Sequence, residues 1–270
     1  MSERAAPKNT CCKTPSYTIA QGDCLELMRG IPDGTVDMVL CDLPFGITDC
    51  VWDTMIPFEP LWEQYKRVTK PNGAIVLFAV QPFTTKLIHS NMAWFRYCWY
   101  WKKSNVTGGI YAKVQPMRCI EDIAVFYRKM PTYNPQGLVK LDKPKHHGVA
   151  AQNVYKVQAN PSLQTHTGYP ENLLEFKHDT PRLHPTQKPL ALLEYLVRTY
   201  TNEGELVLDN CMGVGSTGIA CANAGRRFIG FELDPEYFGI ARQRISEAYE
   251  ELPDGDEKAF GIILVHEKTA

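Results

Sequence analysis

Two near-continuous apolar runs, residues 36–41 and 73–80, flank a segment at 60–69 whose apolar positions recur with helical spacing. Continuous apolar runs of this length are typical of parallel strands that are covered on both faces. The same criteria predict strands at 18–21, 95–101, 121–127, 205–209 and 227–232, and helices at 84–92, 187–200 and 235–250, with one more ending at 224. Strands that alternate with helices in this way indicate a doubly wound α/β domain.

The segment 128–182 interrupts this pattern, since it is rich in proline and polar aromatic residues and shows little periodicity. The α/β pattern resumes at residue 187. We therefore expect one domain over residues 17–250 with an irregular insertion, flanked by terminal extensions at 1–16 and 251–270. The apolar runs are too short to span a membrane, and residues 1–16 lack the apolar region of a signal peptide, so we expect a soluble protein without membrane contact.

Composition adds an uneven distribution of charge. The chain has 270 residues and a formal net charge of −1. No Asp or Glu occurs between residues 64 and 120, whereas nine Lys or Arg residues do. This stretch is either a phosphate-binding surface or the solvated side of unrelated elements. The nine cysteines form no CxxC pair, and His146 and His147 have no suitably spaced partners. We therefore expect reduced thiols and no metal site.

The first candidate for chemistry is the run Asp-Leu-Pro-Phe-Gly at 42–46, which follows a predicted strand. Pro44 has a fixed φ and restricts Leu43, so the backbone beside the Asp42 carboxylate should be stiff. The carboxyl ends of strands are where open α/β sheets bind ligands. Taken alone, the run fits an active site and an ordinary turn equally well.

The second candidate is a glycine-rich loop, Gly-Val-Gly-Ser-Thr-Gly at 213–218, which follows a predicted strand and opens a helix. Glu232 ends the next strand, where a carboxylate can accept both ribose hydroxyls. This context also suits an NAD-dependent oxidoreductase. However, Asp209 lies where a pyrophosphate would need neutral or positive surroundings. A cationic cofactor without phosphates fits that carboxylate better.

Together with His-Pro-Thr-Gln-Lys-Pro at 184–189, these two motifs resemble those of the β group of DNA amino-methyltransferases. The resemblance covers about residues 17–249 and includes the motif order: catalytic motif, insertion, then the cofactor loop. It implies a Rossmann-like, S-adenosylmethionine-dependent methyltransferase fold with a mixed, mostly parallel sheet. It also implies transfer of a methyl group to adenine N6 in double-stranded DNA, directly to a flipped base. The alternatives are a cytosine-N4 enzyme, the oxidoreductase and an inactive DNA-binding module.

By this resemblance, Asp42 and the Leu43 carbonyl accept hydrogen bonds from the target amino group. Phe45 stacks on the base, and Pro44 holds the turn rigid. Most adenine enzymes of the family read Asp-Pro-Pro-Tyr, so this chain departs at two positions, yet it keeps the carbonyl and the aromatic face. Cytosine-N4 enzymes usually have serine in place of this Asp, which favours adenine.

The resemblance also assigns binding residues. Those expected at the cofactor are Asp23, Cys24, His184, Thr186, Lys188, Asp209, Gly213, Gly215, Ser216, Thr217 and Glu232. Those expected at DNA are Lys102, Lys103, Asn105, Lys143 and Lys145, and the insertion takes the position of a target-recognition region. We expect a monomer or homodimer in the cytoplasm of a bacterial or phage-infected cell, in a setting such as restriction–modification.

Overall fold

The computed structural model describes residues 16–46, 53–147, 162–180, 187–251 and 262–265. Its strands are β1 (Tyr17–Gln21), β2 (Val36–Asp42), β3 (Thr69–Ala79), β4 (Phe95–Thr107), β5 (Arg118–Phe126), β6 (Val139–His147), β7 (Ser162–Thr167), β8 (Leu173–Phe176), β9 (Leu206–Asp209), β10 (Arg227–Glu232) and β11 (Ile262–Val265). Its helices are α1 (Cys24–Met28), α2 (Phe58–Val68), α3 (Phe83–Ser90), α4 (Leu190–Tyr200), α5 (Ser216–Asn223) and α6 (Pro235–Glu250).

Nine strands form one sheet in the order β11-β1-β10-β9-β2-β3-β5-β4-β8. The strands from β11 to β3 pair in parallel, and β5 runs antiparallel between β3 and β4. The expected doubly wound, mostly parallel sheet is confirmed. The carboxyl ends of β1, β2, β9 and β10 consequently meet at one edge of the sheet.

Helices cover both faces of this sheet because successive side chains of each buried strand point to opposite sides. On β2, Met38 and Leu40 join one core cluster, whereas Val39 and Cys41 join the other. The first cluster includes residues of α4, α5 and α6, and the second includes residues of α1, α2 and α3. This two-sided burial explains why the parallel strands read as continuous apolar runs.

The hairpin of β4 and β5 is longer than the sequence predicts. We expected a strand at 95–101, yet β4 continues to Thr107 and pairs there with Arg118 of β5. Past Trp101 most side chains are exposed, so the apolar pattern fades while backbone pairing continues. The hairpin therefore extends beyond the body of the sheet.

The insertion is more regular than expected, since β6 and β7 form a separate antiparallel hairpin. β8 joins the main sheet in parallel with β4. The expected C-terminal extension also contributes a strand, because β11 pairs with β1. These strands are short or exposed, and short exposed strands lack the alternation by which a strand is recognised. Among the described residues, none forms a helix that is long and apolar enough to cross a membrane.

Candidate active site

A cavity of ≈ 620 Å³ lies at the carboxyl edge of the parallel strands. The ends of β1, β2, β9 and β10 and the loops that follow them form its wall, so it lies where parallel α/β sheets bind ligands. The cavity wall includes Asp23, Cys24, Asp42, Pro44, Lys188, Asp209, Asn210, Gly213, Ser216, Thr217, Glu232, Leu233 and Asp234.

Asp42 is the last residue of β2, and its carboxylate reaches the cavity. The turn that follows is held by a residue that the sequence did not reveal: Asp53 Oδ1 accepts the backbone N–H groups of Phe45 at 2.7 Å and Gly46 at 2.9 Å. Asp53 is itself buried. Gly46 has φ +65°, a left-handed conformation that favours glycine. The catalytic turn is therefore fixed by its own proline and by a buried carboxylate.

A chain of buried ion pairs lies behind Asp42. Lys188 Nζ is 2.5 Å from Asp42 Oδ2 and 3.5 Å from Glu121 Oε2. Glu121 Oε1 in turn accepts a hydrogen bond from Lys103 Nζ at 3.2 Å. The side chains of Lys188 and Lys103 are only 7% and 6% exposed. Two lysines and two carboxylates thus alternate through the protein interior and end at the cavity.

Burial raises the pKa of Asp42 to about 6, and the charge of Glu121 adds to this effect while Lys188 opposes it. Burial also opposes the charged form of Lys188, but Asp42 and Glu121 outweigh it and raise the pKa of the ammonium group. Asp42 is therefore mostly ionised at neutral pH. Its Oδ1 is buried and accepts no hydrogen bond from the described residues. Among the described residues, this oxygen is therefore a hydrogen-bond acceptor without a donor.

Glu232 occupies the other end of the cavity. Its carboxylate accepts the backbone N–H groups of Gly213 at 2.8 Å and Asp234 at 2.9 Å, one at each oxygen. Burial raises its pKa. Gly213 has φ +53° and open space where a side chain would lie. The loop therefore orients Glu232 and leaves room for a ligand beside the backbone.

Asp209 is buried at the end of β9 and accepts the backbone N–H of Cys211 at 3.1 Å. Burial raises its pKa to about 6, partly opposed by a hydrogen bond from Thr217. Asn210, which follows it, accepts a hydrogen bond from the hydroxyl of Tyr65 at 2.5 Å. Ser216 Oγ is buried and has no hydrogen-bond partner among the described residues. The loop thus presents a carboxylate and a free hydroxyl to the cavity.

The other glycines of the loop serve packing. A Cβ at Gly218 would lie 2.6 Å from Ile245 Cδ1, and one at Gly215 would lie 2.9 Å from the same atom. Gly215 also has φ +80°. The close approach of α5 to α6 therefore requires glycine at both positions. Gly215, which we expected at the cofactor, belongs to this contact and is not part of the cavity wall.

Other expected cofactor residues fall into three groups. Asp23 caps α1 by accepting the N–H groups of Leu25 and Glu26, and both Asp23 and Cys24 line the cavity. His184 and Thr186 lie outside the described residues. Lys188 lines the cavity too, but its ammonium group pairs with the Asp42 carboxylate. The structure thus gives Lys188 a partner at the catalytic turn, where the sequence predicted a cofactor contact.

Two other residues of the expected catalytic motif, Leu43 and Phe45, are not part of the cavity wall. The Leu43 side chain is buried in the core cluster beside α1–α3. The Phe45 ring packs at 5.1 Å from the ring of Phe83 and is half-buried. Pro44 lines the cavity with Asp42. Two of the four expected catalytic residues therefore meet at the cavity in this structure.

The expected DNA contacts also divide. Lys103 is buried and paired with Glu121, so its ammonium group is not available to a phosphate. Lys102 is exposed and pairs with Glu175 at 2.9 Å. Asn105 is exposed on the outer part of the β4–β5 hairpin, and the expected pair Lys143 and Lys145 is exposed on β6. The correction at Lys103 has a simple cause, because strand alternation turns it inward while its neighbour faces solvent.

The acid-free stretch at 64–120 does not form one uniform cationic surface. Lys70 pairs with Asp37 at 2.6 Å, and Arg67 pairs with Asp33 at 2.6 Å. Acids from other parts of the chain thus neutralise several of these cations. The distribution of charge along the sequence could not show this neutralisation, because each acidic partner lies more than thirty residues from its cation.

Sequence reasoning missed several residues of the site. Glu121 and Asp53 act through tertiary contacts, and no local pattern marks them. Leu233 and Asp234 follow Glu232 directly, so their position after a strand end was a usable signal. Leu233 is 62% exposed and gives the cavity an apolar side.

Comparisons with known proteins agree with this geometry. A family model described as DNA methylase (N6_N4_Mtase) matches residues 36–243. The DNA adenine methyltransferase YhdJ of Escherichia coli (strain K12) is 28% identical over 254 residues, covering 86% of this chain and 83% of the relative. The type II methyltransferase M.HpaI of Haemophilus parainfluenzae is 25% identical over 252 residues, covering 87% of this chain and 76% of the relative.

Solved structures show the same fold. The M1.HpyAVI–SAM complex matches with a TM-score of 0.58 and 23% identity, covering 84% of this chain and 99% of that one. PvuII DNA methyltransferase, described as cytosine-N4-specific, matches with a TM-score of 0.63 and 17% identity, covering 88% of this chain and 94% of that one.

Proposed function

Since this chain belongs to the DNA methylase family, we propose that it transfers a methyl group from S-adenosylmethionine to N6 of adenine in double-stranded DNA. The observation that carries the proposal is the Asp42 carboxylate at the cavity, with one oxygen bound to Lys188 and the other without a donor among the described residues. An exocyclic amino group supplies the N–H that this oxygen lacks. The match to the DNA methylase family over residues 36–243 argues against the oxidoreductase.

The charge of the cavity fits this cofactor. Its described wall contains five carboxylates, and its single lysine is already paired with one of them; the five are Asp23, Asp42, Asp209, Glu232 and Asp234. Such a wall repels a pyrophosphate and favours a cation. S-adenosylmethionine, when bound, supplies an electrophilic methyl group on a positively charged sulfur.

Individual residues bind the parts of this cofactor. Glu232 accepts the ribose hydroxyls, because its backbone partners leave each oxygen a further lone pair. Leu233 offers an apolar face to the adenine ring. Asp209 lies near the cationic methionine portion, and the unpartnered Ser216 hydroxyl can donate to its carboxylate. Asp23 lines the adenine end.

At the target base, Asp42 Oδ1 and the Leu43 carbonyl accept the two amino protons. Holding both protons favours pyramidal nitrogen, so its lone pair is directed at the methyl carbon. The N–C bond forms as the S–C bond breaks, and the nitrogen then loses a proton. Asp42, with a pKa of about 6, is suited to accept it. Stacking by Phe45 requires its ring to leave Phe83.

The insertion at 128–182 supplies target recognition, and its exposed Lys143 and Lys145 contact DNA. Its modest length suggests a short recognition sequence, which sequencing of modified bases in methylated DNA would reveal. The names of the type II relatives suggest a restriction–modification setting in a bacterial cytoplasm. Modified bases confined to long motifs would contradict the short-site hypothesis.

One assay tests the proposal. Unmethylated DNA is incubated with labelled S-adenosylmethionine and the protein, and the nucleosides are then separated. We expect N6-methyladenine, no product with Asp42→Ala, and unchanged cofactor affinity in that variant. Detection of N4-methylcytosine instead would favour the second candidate of the same family, a cytosine-N4 methyltransferase. If the protein binds DNA but transfers no methyl group, the proposed enzymatic activity is refuted. If Asp42→Ala keeps full activity, the assigned active site is wrong.

A further inference from the structure

The outer part of the β4–β5 hairpin, residues 104–120, exposes more apolar surface than a solvated loop needs. We call this segment the arm. Ile110 is 87% exposed and Val114 is 82% exposed. The other apolar side chains exposed on the arm are Val106, Tyr111, Met117 and Ile120. A contiguous set of exposed apolar side chains is typical of an interaction surface.

The arm leaves the sheet at the same edge as the cavity. Ala79, the last residue of β3, pairs with Asp122 of β5, which also pairs with Tyr100 of β4. Beyond that level β4 continues to Thr107. Thr107 pairs with Arg118, four residues before Asp122, so at about 3.3 Å per residue the paired strands extend roughly 13 Å past the end of β3. The arm therefore projects on the side from which a substrate must approach Asp42.

Ion pairs join the base of the arm to the catalytic carboxylate. Glu121 directly follows the arm, and its carboxylate is 3.5 Å from Lys188, which is 2.5 Å from Asp42. Lys103, which directly precedes the arm, pairs with Glu121 at 3.2 Å. Both strands of the arm are thus anchored at the active site.

The tip of the arm is a folded turn. Gly108 has φ +87°, and its carbonyl accepts the N–H of Tyr111 at 3.0 Å. The Tyr111 carbonyl then accepts the N–H of Val114 at 2.9 Å. These backbone bonds fix a turn whose long apolar side chains nevertheless face solvent. A preformed turn loses little conformational freedom on binding, which suits a recognition element.

The charge of the arm selects its partner. It contains no Asp or Glu, and it contains the two cations Lys113 and Arg118. Both side chains are exposed. Apolar side chains flanked by cations fit a nucleic acid, whose phosphates attract the cations and whose base stack accepts apolar wedges.

We propose that the arm binds double-stranded DNA beside the target base, with Ile110 and Val114 against the base stack and with Lys113 and Arg118 at phosphates. The inference rests on the proposed function. Moving a base out of the helix leaves unstacked neighbours, and an apolar side chain at that position stabilises the opened state. The arm thus favours the DNA conformation that lets the target reach Asp42.

The test compares Ile110→Ser/Val114→Ser with wild type on two duplexes. One duplex contains the methylation site, and the other carries the same site with an abasic position opposite the target, so that the target is already unpaired. We expect kcat/KM on the intact duplex to fall at least tenfold, and on the abasic duplex less than threefold. The control is Met92→Ser, because Met92 is 59% exposed and precedes β4 at the opposite edge of the sheet.

Each other outcome overturns the proposal. If the double variant equals Met92→Ser on the intact duplex, the arm does not act on DNA. Equal losses on both duplexes would show that the arm does not stabilise an opened base pair. A change in oligomeric state by light scattering would make the arm a contact between protein copies. If wild type methylates neither duplex, the proposed function itself fails, which is a distinguishable result.

The cations are tested separately. Lys113→Ala/Arg118→Ala removes two phosphate contacts, so the slope of log affinity against log salt should become less steep by about 2. DNA affinity is measured by fluorescence anisotropy at several salt concentrations. An unchanged slope would refute the assigned phosphate contacts.

Discussion

Lys188→Met tests whether the buried ammonium group keeps Asp42 ionised. Methionine is similar in length and apolar, so it fills the same space while removing the charge 2.5 Å from Asp42 Oδ2. Glu121, 3.5 Å from the same lysine, then loses a counter-charge and faces Asp42 as a like charge. Both changes disfavour the ionised form of Asp42, so its pKa should rise above the present value of about 6.

The size of the rise follows from Coulomb's law. With charge centres about 4 Å apart and an effective dielectric constant near 20, the lost attraction is about 4 kcal/mol. One pKa unit corresponds to about 1.4 kcal/mol, so the pKa of Asp42 should rise by about 2 to 3 units. At pH 7 the ionised fraction then falls from roughly nine-tenths to about one-tenth or less.

The assay is the rate of methyl transfer at saturating cofactor and DNA between pH 5 and pH 10. For wild type, we expect activity to fall as the pH decreases through about 6, because Asp42 takes up a proton. For Lys188→Met, the same fall should begin near pH 8 to 9, so activity at pH 7 drops at least about fivefold and recovers in alkali. Cofactor affinity should stay unchanged.

Lys70→Met is the matched control, because Lys70 also pairs with a carboxylate, Asp37, but at the opposite end of the strands. It should leave the pH profile unchanged. If Lys188→Met weakens cofactor binding and leaves the profile unshifted, Lys188 contacts the cofactor and the reasoning above is wrong. A uniform loss at every pH would equally refute it.

Four further variants test the cavity and the loops around it. The pKa of Asp209 is about 6 in the folded protein, against an ordinary 3.8, so the folded state binds this proton more tightly than the unfolded state does. The folded protein therefore loses stability as the pH rises from about 3.8 to about 6. Asp209→Asn should therefore raise the free energy of unfolding at pH 7 by up to about 3 kcal/mol in urea titrations, yet weaken cofactor binding; unchanged stability would contradict this. Gly218→Ala, with a Cβ 2.6 Å from a side chain of α6, should destabilise by about 1 to 3 kcal/mol. In Gly213→Ala the added Cβ meets open space, so only the φ of +53° should cost stability, about 1 kcal/mol. Equal losses of stability in Gly218→Ala and Gly213→Ala would refute the packing role of Gly218. Asp53→Ala frees two N–H groups of the catalytic turn, so kcat should fall while calorimetry shows unchanged cofactor affinity; normal kcat would show that the turn is rigid without it.

The elements with local signals could be predicted closely. The bounds of β10 and α6 agree with those expected, because Asp234 caps α6 and Pro235 occupies its first turn. β8 could not be predicted, since four residues carry no measurable period and the strand exists through pairing with β4. Its partner, not its own sequence, specifies it.

The same distinction applies to the site. Asp42, Asp209 and Glu232 follow predicted strands, so their convergence at one edge was foreseeable. The link from Lys188 to Glu121 joins residues 67 positions apart in the printed sequence, and nothing local marks either as a partner. Sequence therefore located carboxylates that line the cavity, and only tertiary structure revealed what holds them.

The parallel pairing of β8 with β4 limits how the segment that we propose for target recognition can be exchanged between relatives. The segment between Phe126 and Leu173 begins at the end of β5 and ends at the start of β8. Both strands belong to the main sheet, and β4 lies between them and pairs with both. A grafted segment can differ in length and sequence after Asn134, whose hydrogen bonds to the end of α4 fix the first part of the segment. It must still return the chain to the outer side of β4, in register with Tyr100 to Lys103, or it will leave an open sheet edge and a poorly soluble chimera.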